Sequence, residues 1–282
     1  MGNNRFFTAL QRKLIQFAAF GFTNSHIGNY AGGKLYTGKF KNFCTPGLNC
    51  YSCPAAGFSC PIGSLQTVLG TPGRNISLYV TGIILAFGVL FGRFICGFLC
   101  PFGLFQELIH KIPVPKPKRR LPKWSKYIKY VLLVAFVIIG PLLTKGIGAG
   151  NPTFCEYICP AGTLEAGIPM LLTHPELQTV IGELFSLKII ILIIVVVLSI
   201  LYYRFFCKVL CPLGAIYGLL NKVSILHLEV DKASCVSCGR CAKVCQMDVD
   251  VTQNPNSAEC IRCGCCVNEC PKDAIKITFK AQ

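Results

Sequence analysis

Acidic side chains are scarce in the first four-fifths of this sequence. Residues 1–223 hold 5 Asp+Glu against 21 Lys+Arg, whereas residues 224–282 hold 7 of each. Charged residues of both signs make up only 14% of the 282, hydrophobic ones 52%, and the mean hydropathy is +0.54. That balance suits a membrane protein better than a soluble one. The net charge of +16 sits in the apolar part. There it reads as membrane topology and contact with lipid headgroups, and it argues against nucleic-acid binding. A P-loop, a Rossmann fingerprint and an Asp-Gly-x-x-Gly-Ala-Thr-like flavin attachment sequence are all missing. The four histidines, His26, His110, His174 and His227, do not face one another within the apolar runs and are expected at solvated or interfacial positions.

Cysteine, by contrast, is abundant, with 19 residues. That is too many for a cytosolic enzyme using thiols only for packing, and the chain is too long and apolar for a secreted disulfide scaffold. The densest run is Cys235-x2-Cys238-x2-Cys241-x3-Cys245, repeated as Cys260-x2-Cys263-x2-Cys266-x3-Cys270-Pro271. This is the two-cluster bacterial ferredoxin pattern, in which the fourth cysteine of each run ligates the other cluster. Cys235, Cys238, Cys241 and Cys270 would hold one [4Fe–4S] cube, and Cys260, Cys263, Cys266 and Cys245 the second. Paired zinc sites are the alternative, but zinc needs only two C-x2-C pairs and leaves the third and fourth cysteines unexplained. Gln246 stands where the first run would carry proline, and Cys265 is a spare thiol.

Three apolar runs are long enough to span a bilayer: Ile76–Gly92, Tyr127–Thr144 and Ser186–Tyr203. Residues 9–30 form a weaker fourth candidate, either a signal-anchor or an interfacial helix. The Pro-containing segment Lys111–Lys129 carries eight Lys/Arg and reads as a cytoplasmic linker. The loop from Lys145 to Ser186 has one basic residue and should face outward. The expected organisation is a first membrane repeat (1–110), the linker (111–129), a second repeat (130–223) and a ferredoxin domain (224–282). The fold class is therefore an α-helical integral membrane domain of three to four transmembrane helices with internal pseudo-duplication, followed by a small α+β domain of the bacterial two-[4Fe–4S] type.

Between the spans one device recurs: Cys60-Pro61-Ile62-Gly63, Cys100-Pro101-Phe102-Gly103, Cys159-Pro160-Ala161-Gly162 and Cys211-Pro212-Leu213-Gly214. Three copies have a second cysteine four residues upstream: Cys96, Cys155 and Cys207. Two share more, as Arg93-Phe94-x-Cys96 and Arg204-Phe205-x-Cys207. Proline suits the first turn of a helix, glycine admits close approach, and free N–H groups at the helix start favour an anionic iron–sulfur core. Cys96, Cys100, Cys207 and Cys211 are expected to form an inner quartet on the cytoplasmic side. Cys53 and Cys60 are expected to join Cys155 and Cys159 in an outer one, with Cys44 and Cys50 as competitors or a disulfide pair. The two quartets are expected at opposite membrane faces. Glu107 and Glu165, each past a Cys-Pro, are expected at the surface. Arg93 and Arg204 either offset cluster charge or simply mark a cytoplasmic span end.

These repeats, with Pro46-Gly47-Leu48-Asn49-Cys50-Tyr51-Ser52-Cys53-Pro54 and Asn256-Ser257-Ala258-Glu259-Cys260-Ile261-Arg262-Cys263-Gly264, make nearly the whole chain resemble the NapH-type family of membrane-bound polyferredoxins. The third Cys-x3-Cys-Pro copy and the Cys44–Cys60 loop suggest a branch other than the nitrate one. The resemblance implies an integral membrane electron-transfer subunit of a bacterial or archaeal cytoplasmic membrane, with its ferredoxin domain in the cytoplasm. The cofactors expected are two [4Fe–4S] clusters in that domain and one or two more in the membrane. The expected partners are a cytoplasmic donor (ferredoxin, flavodoxin or dehydrogenase), an extracytoplasmic reductase or flavoprotein, and lipid, in a hetero-complex. Oxidation of a quinol, or a role in metal reduction, assembly or redox sensing, are the alternatives.

Overall fold

Every Cys-Pro-x-Gly sequence opens a helix, with the cysteine as N-cap and the proline at the first helical position. Proline's fixed φ and missing N–H suit that position. The computed structural model describes residues 7–71, 78–117, 121–144 and 151–279. The start of the expected span at Ile76, the centre of the basic linker at 118–120, and Lys145 lie outside the described residues.

In chain order the helices are α1 (Ala9–Thr23), α2 (Pro61–Gly70), α3 (Leu78–Phe91), α4 (Phe94–Phe98), α5 (Pro101–Ile109), α6 (Trp124–Leu143), α7 (Thr153–Tyr157), α8 (160–173), α9 (Glu183–Leu201), α10 (Phe205–Val209) and α11 (Pro212–Leu220). Among the described residues two, α6 with 20 residues and α9 with 19, are long and apolar enough to cross a membrane. They coincide with the second and third expected spans. Helix α3 has 14 described residues, or about 21 Å of helix against a hydrocarbon core of about 30 Å. Helix α1 has 15 and turns aside at Asn24. So two of the three to four expected spans reach full length as described. Both long helices keep bulky side chains outside, including Ile190, Ile193 and Val197 on α9 and Val131 and Val134 on α6.

The C-terminal part is built on a two-stranded antiparallel sheet, β1 (Leu226–Val230) with β2 (Ile275–Phe279), paired from Leu226↔Phe279 to Val230↔Ile275. Short helices α12 (Arg240–Val244) and α13 (Cys265–Asn268) follow the first two cysteines of each run. The duplication is visible in the backbone. Ser237 and Arg262, Gly239 and Gly264, and Asp248 and Asp273 all have positive φ at matching places in the two runs. Tight reversals around the cysteines demand that conformation, and glycine supplies it without Cβ strain.

Candidate metal centres

All 19 cysteines are free thiols, so the Cys44–Cys50 disulfide does not form. The four cysteines expected as an inner quartet lie near one another. Cys96, Cys100, Cys207 and Cys211 are buried, and their thiols interact electrostatically with one another. Burial first, and then the neighbouring thiolates, push Cys100 and Cys211 up. Bringing all four to the thiolate form there would call for a cationic centre, which iron would supply. The Gly103 and Gly214 N–H groups donate to the sulfurs of Cys100 and Cys211 at 3.4 and 3.3 Å.

The two halves lock reciprocally. Arg93 donates to the Cys207 carbonyl at 3.0 Å, and Arg204 donates to the Cys96 carbonyl. The motif glycines make room for these arginines. A Cβ on Gly103 would lie 3.1 Å from the Arg204 guanidinium carbon, and one on Gly214 would lie 3.4 Å from an Arg93 nitrogen. Both arginines are fully buried and both are compensated. Arg93 pairs with Glu259 at 3.0 Å, which also accepts from Lys129 at 2.5 Å. Glu107 takes Arg204 Nε at 2.9 Å, Arg12 at 2.9 Å, Lys13 and the Tyr203 hydroxyl at 2.6 Å.

Glu107 is therefore buried, contrary to its expected place at the surface, because three cations converge on it. Burial alone would raise its pKa, but Arg204 and Arg12 carry it down to about 2.

The outer site departs from expectation at one residue. A cavity of about 530 Å³ is walled by Cys44, Cys50, Cys60, Cys155 and Cys159. Cys53 is not in its wall. It is buried instead beside Ala55 and Ala56, 3.1 Å from the Tyr30 hydroxyl. The place four residues before Cys60 holds Ala56, so this copy lacks its upstream thiol, and Cys50 reaches in from the preceding loop. A Cβ on Gly162 would lie 3.4 Å from Cys50 Sγ, much as one on Gly63 would lie 3.8 Å from Cys155 Sγ.

The polar frame repeats that of the inner site, which the sequence reading missed. Gln106 accepts from the Phe206 N–H at 3.0 Å and donates to Cys207 Sγ at 3.1 Å. Gln66 accepts from the Phe154 N–H at 2.8 Å and donates to Cys155 Sγ at 3.2 Å. Each glutamine follows its Cys-Pro cysteine by six residues, and that shared spacing was the available signal. The residue six after Cys159 is Glu165, which accepts from the Cys50 N–H at 2.7 Å. Glu165 is half-buried where a surface position was expected, and desolvation pushes it up to about 7. Cations again meet the backbone: Lys188 donates to the Cys155 carbonyl at 3.3 Å and Lys41 to the Ala56 carbonyl at 2.8 Å.

The two sites are neighbours, not separated by the width of a bilayer. Leu48 O lies 4.0 Å from Cys100 Sγ, and a Cβ on Gly47 would come within 3.0 Å of Cys100 Cα. Cys50 follows two residues later, at most about 7 Å along the chain.

In the C-terminal part, Cys235, Cys238, Cys241 and Cys270 line one small cavity, with Cys270 crossing over from the second run. Cys245 crosses the other way. Its thiol interacts with Cys263, and Cys260 and Cys266 interact with both. The Cys265 thiol hydrogen-bonds with that of Cys263 and interacts with Cys266 and Cys245, so the spare thiol sits at the edge of that group. Backbone N–H groups of Arg262 and Val249 donate to Cys260 and Cys245 sulfurs at 3.4 Å each.

Among the described residues no three His, Cys, Asp or Glu side chains converge on one ion, as zinc with Zn–S of about 2.3 Å would require. The outer thiols and the Cys235 group stand around cavities, and amide donors aim at the sulfurs of Cys100, Cys211, Cys245 and Cys260. In the outer cavity wall Asn49 is fully buried with neither amide atom partnered among the described residues. A polyanionic cluster with sulfide acceptors suits these features.

The sequence profile of a 4Fe-4S binding domain family matches residues 76–122, 130–170 and 187–228, each stretch containing one Cys-x3-Cys-Pro unit. The chain is 30% identical to an uncharacterized protein of Methanocaldococcus jannaschii over 74% of this chain and 81% of that one. It is 25% identical to the methylamine utilization ferredoxin-type protein MauN of Methylorubrum extorquens, over 83% of this chain and 73% of that one. Identity to the ferredoxin-type protein NapH of Haemophilus influenzae is 24%, over 61% and 54% respectively. The chain thus spans from about half to four-fifths of the length of these curated relatives. No solved structure matches significantly. With its 4Fe-4S binding repeats and ferredoxin-type relatives, the chain belongs to the NapH-type polyferredoxin family.

Proposed function

We propose that this protein is a membrane-embedded electron wire. It would carry electrons from a cytoplasmic donor, such as a ferredoxin, flavodoxin or dehydrogenase, to an extracytoplasmic reductase or flavoprotein. One observation carries the reading: four groups of cysteine thiols in one body, each adjoining the next. The ligand sets are Cys235/Cys238/Cys241/Cys270, Cys245/Cys260/Cys263/Cys266, Cys96/Cys100/Cys207/Cys211 and Cys50/Cys60/Cys155/Cys159, with Cys50 taking the place first given to Cys53. A [4Fe–4S] cluster, when bound, supplies one-electron storage at a potential set by charge, hydrogen bonds to sulfur and burial. The chain's residues fix the rest. Arg93 and Arg204 hold the halves together, and the 47–50 loop shortens the step between the inner and outer sites.

The membrane placement is supported by α6 and α9 with their outward aliphatic side chains, and the orientation by the basic linker. Oxidation of a quinol is a second reading, favoured by an apolar cavity of about 750 Å³ between α1 and the 40–46 segment. Its wall includes Cys44 of the outer cavity and Leu99 beside Cys100.

The test is anaerobic purification of the full chain with iron counting and EPR. About sixteen iron atoms are expected for four cubes. Cys96→Ala and Cys207→Ala should each remove one cluster signal and leave the others, and the double change should remove no more. Unchanged iron in both single variants would make these cysteines packing residues.

A further inference from the structure

The ferredoxin part is bolted to the inner site chiefly through the loop 257–262, which carries Cys260. Asn221 Nδ2 donates to the carbonyls of Ser257 and Cys260 at 2.7 and 3.0 Å. Arg93, whose other nitrogen holds the Cys207 carbonyl, donates to the Ala258 carbonyl at 2.6 Å. Arg262 returns the contact, donating to the carbonyls of Phe91 and Asn221 at 3.0 and 2.8 Å and to Ser224 Oγ at 2.7 Å. Two glycines make the approach possible. A Cβ on Gly97 would lie 2.6 Å from the Ile261 carbonyl oxygen, and one on Gly218 would lie 2.8 Å from that of Ala258. Gly97 directly follows Cys96, and Ile261 directly follows Cys260. Cys245, the crossover member of the same group, is tied in beside Cys207. Lys208 donates to the Gln246 carbonyl and to Asp248, both at 2.8 Å.

The Cys235/Cys238/Cys241/Cys270 group has the opposite setting. Cys238 is exposed, and its cavity wall carries exposed Val236, Arg240 and Lys272 and no residue of the membrane part.

We propose that the two ferredoxin centres are used in a fixed order. The Cys235 group is the port for the soluble donor, and the Cys245/Cys260 group alone passes electrons to the inner quartet, across the Ile261–Gly97 backbone contact. Each transfer moves one electron from a reduced centre, which is oxidised, to an oxidised neighbour, which is reduced, with no bond made or broken. This order rests on the four-site wire of the preceding section. The domain is then a rigid part of the relay, and Gly97 is a positioning residue whose missing side chain sets the distance of the step.

The experiment is EPR spin relaxation on the full chain, reduced stepwise. The inner-site signal should relax faster when the Cys245/Cys260 centre is paramagnetic. Cys263→Ala should abolish that enhancement, and Cys238→Ala should leave it in place. Gly97→Ala should keep all the iron but slow reduction of the inner site at least fivefold in rapid-freeze samples. Enhancement lost in Cys238→Ala and retained in Cys263→Ala overturns the order, as does a fully loaded protein showing no enhancement. An iron content of only about eight, with both ferredoxin centres intact, overturns the four-site wire and this order with it. If Gly97→Ala does not fold, the two cysteine variants still decide the question.

Discussion

Glu107→Gln removes one charge from the most crowded ionic group among the described residues while nearly preserving its shape. Glu107 is 3% exposed and Arg204 is fully buried. Burial pulls the Glu107 pKa upward, yet Arg204 and Arg12 bring it to about 2 from an ordinary 4.5. A fall of that size corresponds to on the order of 3 kcal/mol at about 1.4 kcal/mol per unit. That agrees with the roughly 3–5 kcal/mol lost when one partner of a buried ion pair is removed. Because the folded pKa lies below the unfolded one, this stabilisation is complete above about pH 4.5 and is lost as pH falls toward 2. Thermal unfolding in detergent should therefore show a Tm for Glu107→Gln lower by about 5–10 °C at pH 7. The gap from wild type should close as the buffer is taken from pH 5 toward pH 3. Other carboxylates titrate in that range, so the difference between the two proteins is the quantity to read. Arg204 also holds the Cys96 carbonyl, so the variant should lose inner-site iron before the other centres. Adding Arg204→Met to Glu107→Gln should cost clearly less than the sum of the single changes. A Tm within 1 °C of wild type, or strictly additive costs, would refute the view that this carboxylate keeps the buried arginine in place.

Two further outcomes follow from the site geometry. Cys50→Ala should abolish the outer-site signal, whereas Cys53→Ala should retain it and full iron; the opposite result in EPR and iron analysis would restore Cys53 as the ligand. Gln106→Leu and Gln66→Leu each delete an N–H donor to a ligand sulfur, at Cys207 and Cys155 respectively. Each should lower the potential of its own centre alone by on the order of 50 mV, about one hydrogen bond's worth for a one-electron couple, in redox titrations.

The sequence by itself determined the elements with a strict spacing. The eight cysteines of the ferredoxin runs, with their crossover at Cys245 and Cys270, were legible because loop geometry around a cube tolerates few alternatives. The nearness of Cys96, Cys100, Cys207 and Cys211 was legible because Arg-Phe-x-Cys-x3-Cys-Pro-x-Gly occurs twice. The long helices α6 and α9 announced themselves by composition.

Only the tertiary structure decided what depends on residues brought from elsewhere. Ala56 interrupts the first copy, and the replacement thiol had to be chosen among cysteines with no fixed offset. Cys50 is proposed because its loop passes Gly162. Glu107 and Glu165 read as surface residues because isolated carboxylates usually are. The burial of Glu107 depends on Arg12 and Arg204, and the half-buried place of Glu165 on the Cys50 amide, all distant in sequence. The nearness of the inner and outer sites was equally hidden. Topology rules order segments across a membrane, but they carry no information about a loop, 46–50, that runs inward and places Leu48 against one site and Cys50 in the next.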